Sequence, residues 1–128
     1  YWCYLEPLLQ AYAQMGKNPR IFTEGKIDMY ADHFADIKKG TITFHLENDD
    51  PFEIRKIVPN IAIMGGLTTT MLGTATAEEC VDYTKKLIDE LGSEGGFILS
   101  EDKMLSYRND AKPENFKAVC DFVNNYKI

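Results

Sequence analysis

The chain has 128 residues and a formal net charge of −6, with 45% hydrophobic and 27% charged residues. This length and composition are typical of one globular domain that can bury a core. The acidic balance argues against nucleic acid or an anionic membrane as the main partner. No apolar run approaches the roughly 20 residues that a membrane span needs, so we expect no membrane segment.

The cysteines indicate the cellular compartment, and the first residue indicates whether the chain is part of a longer protein. Cys3, Cys80 and Cys120 are far apart and form no CxxC pair. An odd number without such spacing predicts buried thiols in a reducing compartment, and we expect a cytoplasmic protein. The chain begins with a tyrosine and shows no signal-peptide pattern, so we expect a fragment or processed product of a longer protein.

In chain order, an amphipathic helix comes first, because apolar residues recur every three or four positions from Trp2 to Tyr12. Four short apolar runs follow, and each ends in polar residues before a helix-like segment. These strand candidates are residues 20–24, 41–47, 60–67 and 96–101. Strands that alternate with helices predict parallel βαβ units. Four such units are half of a (β/α)8 barrel, also called a TIM barrel, so we predict an α/β half-barrel.

Local signals mark several ends of these elements. Asp50 followed by Pro51 predicts a helix N-cap and first turn, and Thr76 with Glu79 forms the pattern of a capping box. We expect the glycine pair at positions 65 and 66 to end the third strand, at a tight turn or where a ligand approaches the backbone.

Two polar side chains at strand ends are the strongest candidates for chemistry. Glu24 ends the first strand and His45 lies near the end of the second. Neighbouring strands lie about 4.8 Å apart, so a carboxylate and an imidazole at such ends could share one zinc ion. Glu6 could supply a third ligand, because the start of a barrel helix follows the end of the preceding strand. The alternative is a hydrogen-bonded or solvated Glu–His pair.

Acidic residues follow His45 closely. Glu47, Asp49 and Asp50 could orient the imidazole, or they could form a solvated loop with a helix cap, which we favour. His33 lies in the middle of a predicted helix and is expected at the surface. Residues 100–103 end the fourth strand without a specific signal.

Four segments of the second half carry a family resemblance. Residues 60–67, 76–81, 95–100 and 112–119 resemble the C-terminal half of the uroporphyrinogen decarboxylase superfamily. This superfamily contains the decarboxylase and corrinoid-dependent methyltransferases. The resemblance implies that the whole chain, residues 1–128, is a single domain, the C-terminal half-barrel of a longer protein.

Differences from the superfamily patterns indicate to which branch of the superfamily the chain is least similar. Methyltransferases that act on thiols carry a His-x-Cys pair where this chain has Phe22 and Glu24, and a further Cys near the position of Lys103. The decarboxylase carries Gly-His-Gly where this chain has residues 100–103. Both activities are disfavoured by these differences.

Methyltransferases that begin the O-demethylation of phenyl methyl ethers are more similar. Their zinc site uses two glutamates and a histidine, and the second Glu and the His match Glu24 and His45, with residues 25–44 between them. The first Glu corresponds to Leu9 here, and Glu6 lies three residues earlier. The resemblance therefore implies a zinc site of Glu24, His45 and Glu6.

These observations lead to one functional hypothesis and two alternatives. The resemblance implies an enzyme that uses zinc to transfer a methyl group from a small methylated substrate, such as a methoxyaromatic, to a cobalt(I) corrinoid on a partner protein. The alternatives are a uroporphyrinogen decarboxylase-like enzyme and a truncated, non-catalytic homologue that acts as an interaction module. As an isolated chain, four strands leave open edges, so we expect a homo-oligomer.

Overall fold

The computed structural model describes residues 2–127, in which strands and helices alternate. The strands are β1 (Arg20–Thr23), β2 (Thr43–Leu46), β3 (Ala62–Leu67) and β4 (Phe97–Glu101). The α-helices are α1 (Trp2–Gln14), α2 (Pro51–Ile57), α3 (Thr69–Thr74), α4 (Ala77–Leu87) and α5 (Pro113–Asn125). A 3-10 helix, Asp28–Phe34, follows β1, and a π-helical turn, Ile88–Gly92, follows α4.

The strands form a parallel sheet in the order β1-β2-β3-β4. The predicted α/β arrangement of four parallel strand–helix units is therefore confirmed, and it matches part of a (β/α)8 barrel. The chain forms two compact units, one up to Met64 and one from Gly65 onward. Across residues 2–127, no helix has both the length and the apolar character needed to cross a membrane.

The first unit is built around β2, whose four residues are all buried. Phe44 packs edge-on against Phe34 of the 3-10 helix, with ring centroids 4.7 Å apart. The sequence predicts a longer helical face here that includes Tyr30, but Tyr30 is exposed. The difference follows from the helix type, because three residues per turn align Ala31 with Phe34 and turn Tyr30 outward.

In the second unit α4 packs against α5, and the π-helical turn packs against β4. The predicted capping box is confirmed: the Glu79 amide donates to Thr76 Oγ1 and the Thr76 amide donates to the Glu79 carboxylate. The hydrogen bond from the Thr76 amide, with a second from the Thr76 hydroxyl, lowers the pKa of Glu79. At the other end, Asn115 is fully buried and donates from Nδ2 to the carbonyls of Leu72 and Ala75. One side chain of α5 thus satisfies carbonyls at the end of α3 that have no partner within their own helix.

Two local predictions differ from the structure. Strand β3 continues through Gly65 and Gly66 instead of ending before them, with φ angles of 124° and 99°. Glycine allows this left-handed backbone inside a strand, where other residues would be strained. The predicted burial of the cysteines holds for Cys80, whereas Cys3 and Cys120 are exposed.

Replacement of Asn115 should destabilise the fold. Asn115→Ala removes one buried and one partly buried hydrogen bond, and we expect a loss of about 1–3 kcal/mol in the free energy of unfolding. Asn124→Ala, on an exposed position of the same helix, is the control and should change stability by less than about 0.5 kcal/mol. Urea denaturation measures both, and equal stabilities would contradict this role of Asn115.

Substitution of Gly66 should be more damaging than substitution of Gly95. Both have positive φ, but a Cβ at Gly66 would lie 2.9 Å from Leu87 Cδ1, whereas a Cβ at Gly95 meets nothing within 4 Å. Left-handed backbone alone costs roughly 1–2 kcal/mol, so Gly95→Ala measures that strain and Gly66→Ala adds the steric contact. Thermal melts that rank Gly95→Ala as the less stable variant would show that Leu87 moves aside freely.

Candidate functional site

The candidate site lies where β1 and β2 end. These strands are neighbours and parallel, as predicted, and Phe22 pairs with His45 while Thr23 pairs with Leu46. Glu24 directly follows β1. It therefore lies two residues beyond the level of His45, which is about 6.6 Å along an extended strand. Both residues lie near the ends of neighbouring strands. On their shared face of the sheet, Glu24 lies one side-chain position farther along the strand direction than His45.

His45 is held in a buried position on one face of the sheet. Only 5% of the residue is exposed, and its ring lies edge-on against Phe22 at a centroid distance of 4.5 Å. Met64 of β3 pairs with it on the other side. Because side chains alternate along a strand, Phe22, His45 and Met64 share one face, and Phe44 points to the opposite face. The imidazole is thus oriented by packing as well as by its strand.

The segment after β2 fixes the loop that follows β1. Glu47 Oε2 accepts a hydrogen bond from the Gly25 amide at 3.3 Å. The Asp49 carboxylate accepts from the Ile27 amide at 2.9 and 3.2 Å. Asp50 caps α2 by accepting from the Phe52 amide at 2.8 Å, so the predicted helix cap is confirmed. Glu47 and Asp49, which we expected in a solvated loop, bind main-chain amides instead.

Glu6 lies apart from this arrangement. It is an exposed residue of α1 that accepts a hydrogen bond from Gln10, and it lines a groove of about 490 Å³ with Asp32 and His33. Glu24 lines a different groove, of about 520 Å³, with Phe22 among its neighbours. The two grooves share Trp2 and His33, but among residues 2–127 Glu6 forms no metal-binding cluster with Glu24 and His45.

Other candidate groups play structural parts. His33 is exposed, as predicted, and its ring stacks on Trp2 at 5.4 Å. Burial raises the pKa of the Cys80 thiol, which keeps it protonated and unreactive. Asp102 follows β4, is buried and accepts from the Thr69 amide at 3.0 Å. Sequence reasoning placed Asp102 at a strand end but did not identify its contact with the start of α3, because no local pattern links positions so far apart.

Glu24 and His45 lie at the ends of neighbouring strands, and Glu6 lies on α1. Glu24 and His45 supply a carboxylate and an imidazole at neighbouring strand ends, which is a donor pair that zinc accepts. Among residues 2–127, no group of three or more His, Cys, Asp or Glu side chains is arranged to hold a metal ion. Glu24 and His45 as metal ligands stay a prediction, and Glu6 has no geometric support as the third.

The fold and the strand-end residues define an α/β protein built from parallel strand–helix units. The family model described as Uroporphyrinogen decarboxylase (URO-D) matches residues 2–126, and the chain therefore belongs to the uroporphyrinogen decarboxylase family. Comparisons with curated proteins and with solved structures found no match. Members of this family are in general enzymes. The match does not show to which branch of the family the chain belongs.

The packing of Phe22 on His45 predicts different reactivities for the two histidines. Diethylpyrocarbonate should modify the exposed His33 quickly and the buried His45 slowly. Phe22→Ala should speed modification of His45 several-fold by uncovering its ring. Phe116→Ala, which shortens a phenylalanine of similar exposure on α5, is the control. Peptide mass spectrometry follows each site, and fast modification of His45 in the wild type would contradict its burial.

Proposed function

We propose that this chain belongs to a corrinoid-dependent methyltransferase that takes a methyl group from a small methylated molecule, such as a methoxyaromatic. The observation that carries the proposal is the placement of Glu24 and His45 at the ends of neighbouring parallel strands. In barrel enzymes the catalytic groups lie at this end of the strands. The family match supports an enzyme of this superfamily.

The choice of branch rests on the types of residue present. Glu24 occupies the position where thiol-methylating relatives carry cysteine, so the donor set is richer in oxygen. Such a set favours a harder Lewis acid than a thiolate site does. When bound, zinc would stabilise negative charge on the leaving oxygen of the substrate. The cobalt(I) of a corrinoid protein would be the methyl acceptor, and the former ether oxygen would leave as a phenolate or alkoxide.

The chain's own residues have defined parts in this proposal. Glu24 and His45 bind and orient the ion, and Phe22 excludes water from one side of the imidazole. Glu6 is left out of the ligand set because it forms no three-donor cluster with Glu24 and His45 among residues 2–127. The remaining donors and most of the substrate contacts come from outside residues 2–127. The partners would be a corrinoid protein and a small methyl donor in the cytoplasm, and the isolated chain would self-associate through its open strand edges.

The family description favours one second candidate. A uroporphyrinogen decarboxylase-like activity agrees with the model that matches residues 2–126. Against it stands the sequence of residues 100–103, which lacks the Gly-His-Gly segment of that enzyme. A non-catalytic homologue is the remaining alternative, and it predicts neither metal binding nor turnover.

Zinc binding separates these alternatives. A protein that contains this chain together with the remaining donors should retain about one zinc ion after dialysis, and His45→Ala or Glu24→Gln should lower that content because each removes a ligand. Glu6→Gln is the matched control and should keep wild-type zinc. Elemental analysis decides the matter. Equal zinc in the wild type and His45→Ala, or none in either, would contradict the metal site.

Turnover assays then separate the reactions. Methyl transfer is followed as the absorbance of methylcobalamin formed from cob(I)alamin and a methoxyaromatic. Decarboxylation is followed as carbon dioxide released from uroporphyrinogen. The proposal predicts the first signal and not the second in a protein that contains this chain, and it predicts loss of that signal in His45→Ala. The reverse result would establish the decarboxylase alternative.

A further inference from the structure

A regular series of contacts continues the β1–β2 pairing beyond both strands. Thr23 Oγ1 donates to the His45 carbonyl at 2.9 Å, and the Gly25 amide donates to Glu47 at 3.3 Å. The Ile27 amide donates to Asp49 at 2.9 Å. Each contact joins residues that are 22 positions apart. The series keeps one register although β1 ends at Thr23.

Carboxylates replace carbonyl acceptors in this series. In a regular parallel pair, the amides of one strand donate to main-chain carbonyls of the next. Gly25 has a φ of 84°, which turns the backbone out of the extended conformation. The side chains of Glu47 and Asp49 reach the amides beyond this turn. Hydrogen bonds to a charged acceptor are roughly twice as strong as those between neutral groups.

Asp49 makes the largest contribution to this series. Its carboxylate accepts from the amides of Ile27 and Asp28, with the contact to Asp28 at 3.3 Å. These amides open the 3-10 helix Asp28–Phe34, and amides at a helix start have no partner within the helix. Asp49 therefore ties the far side of the loop to the end of β2, while Thr23 ties the near side. Glu24 lies between the two attachments.

We propose that Asp49, assisted by Glu47, is a positioning residue that holds the Glu24 loop beside the end of β2. This role deepens the proposed function, because it rests on Glu24 as a metal ligand. Asp49 does not bind the ion itself. Its carboxylate is already engaged by main-chain amides, and its effect on the site passes through the backbone on either side of Glu24.

The test compares Asp49→Asn with Asp50→Asn. Both variants remove one negative charge at adjacent positions. Asp49 accepts through both carboxylate oxygens, one of which asparagine replaces with a donor, whereas Asp50 accepts through Oδ1 alone, so Asp50→Asn keeps the start of α2. Amide hydrogen exchange, measured by NMR, should become about tenfold faster at Ile27 and Asp28 in Asp49→Asn. It should stay unchanged at these amides in Asp50→Asn. Unchanged exchange in α2 and α5 shows that each variant is folded.

The second measurement is the zinc affinity of a protein that contains this chain together with the remaining donors, which a purely structural role of Asp49 would leave unchanged. Residues that orient metal ligands typically change affinity 10–100-fold, so we expect about a tenfold loss in Asp49→Asn and none in Asp50→Asn. Unchanged exchange at Ile27 and Asp28 would overturn the proposal, as would faster exchange with wild-type affinity. If the wild type binds no zinc, the proposed metal site is wrong, and the exchange rates alone decide whether Asp49 holds the loop. Should Asp49→Asn unfold the chain, Glu47→Gln tests the same series at Gly25.

Discussion

The parallel pairing of β1 with β2 is the constraint on which the candidate site depends. It sets Phe22 opposite His45 and brings Glu24 to the end of the neighbouring strand. All four residues of β2 are buried, so a shift of one residue in this register would exchange His45 with Phe44 between the two faces. Phe44 packs against Phe34, and that contact makes such a shift unfavourable. Aromatic packing on one face thereby fixes the position of the imidazole on the other.

The acidic residues near this pairing divide into two groups with different tasks. In the first group, the carboxylates accept hydrogen bonds from main-chain amides; its members are Glu47, Asp49 and Asp50. Glu24 lies on the loop after β1, which Glu47 and Asp49 contact, but its side chain is exposed and accepts none of these hydrogen bonds. The arrangement resembles the support that metal ligands receive from surrounding hydrogen bonds in proteins. It explains how a short loop can hold a carboxylate in place although its own side chain is open to solvent.

Local patterns predicted the strands and the starts of α2 and α4 correctly because the causes are local. Asp50 before Pro51, and Thr76 before Glu79, bind amides within three residues of themselves. The parallel order of strands also followed from the alternation of elements. The 3-10 helix was less predictable, because its apolar residues fit an α-helical spacing as well as a tighter one.

The contacts that shape the site depend on distant partners and escaped sequence reasoning. Asp49 binds amides more than twenty positions away, and no periodicity encodes that contact. Glu6 was assigned to the site by analogy with a barrel, but it faces the groove near His33. Glu24 and His45 were identified by residue type and strand position, although their stagger of one side-chain level became visible only in the register.

The most direct test of this account is to detect the carboxylate hydrogen bonds themselves by NMR. Scalar couplings across hydrogen bonds connect an amide nitrogen with the carbon of its acceptor group. The account predicts a coupling between the Ile27 nitrogen and the side-chain carboxyl carbon of Asp49, alongside the backbone couplings that join β1 to β2. Backbone couplings between the strands without the Asp49 coupling would contradict the claim that carboxylates extend this pairing and hold the Glu24 loop.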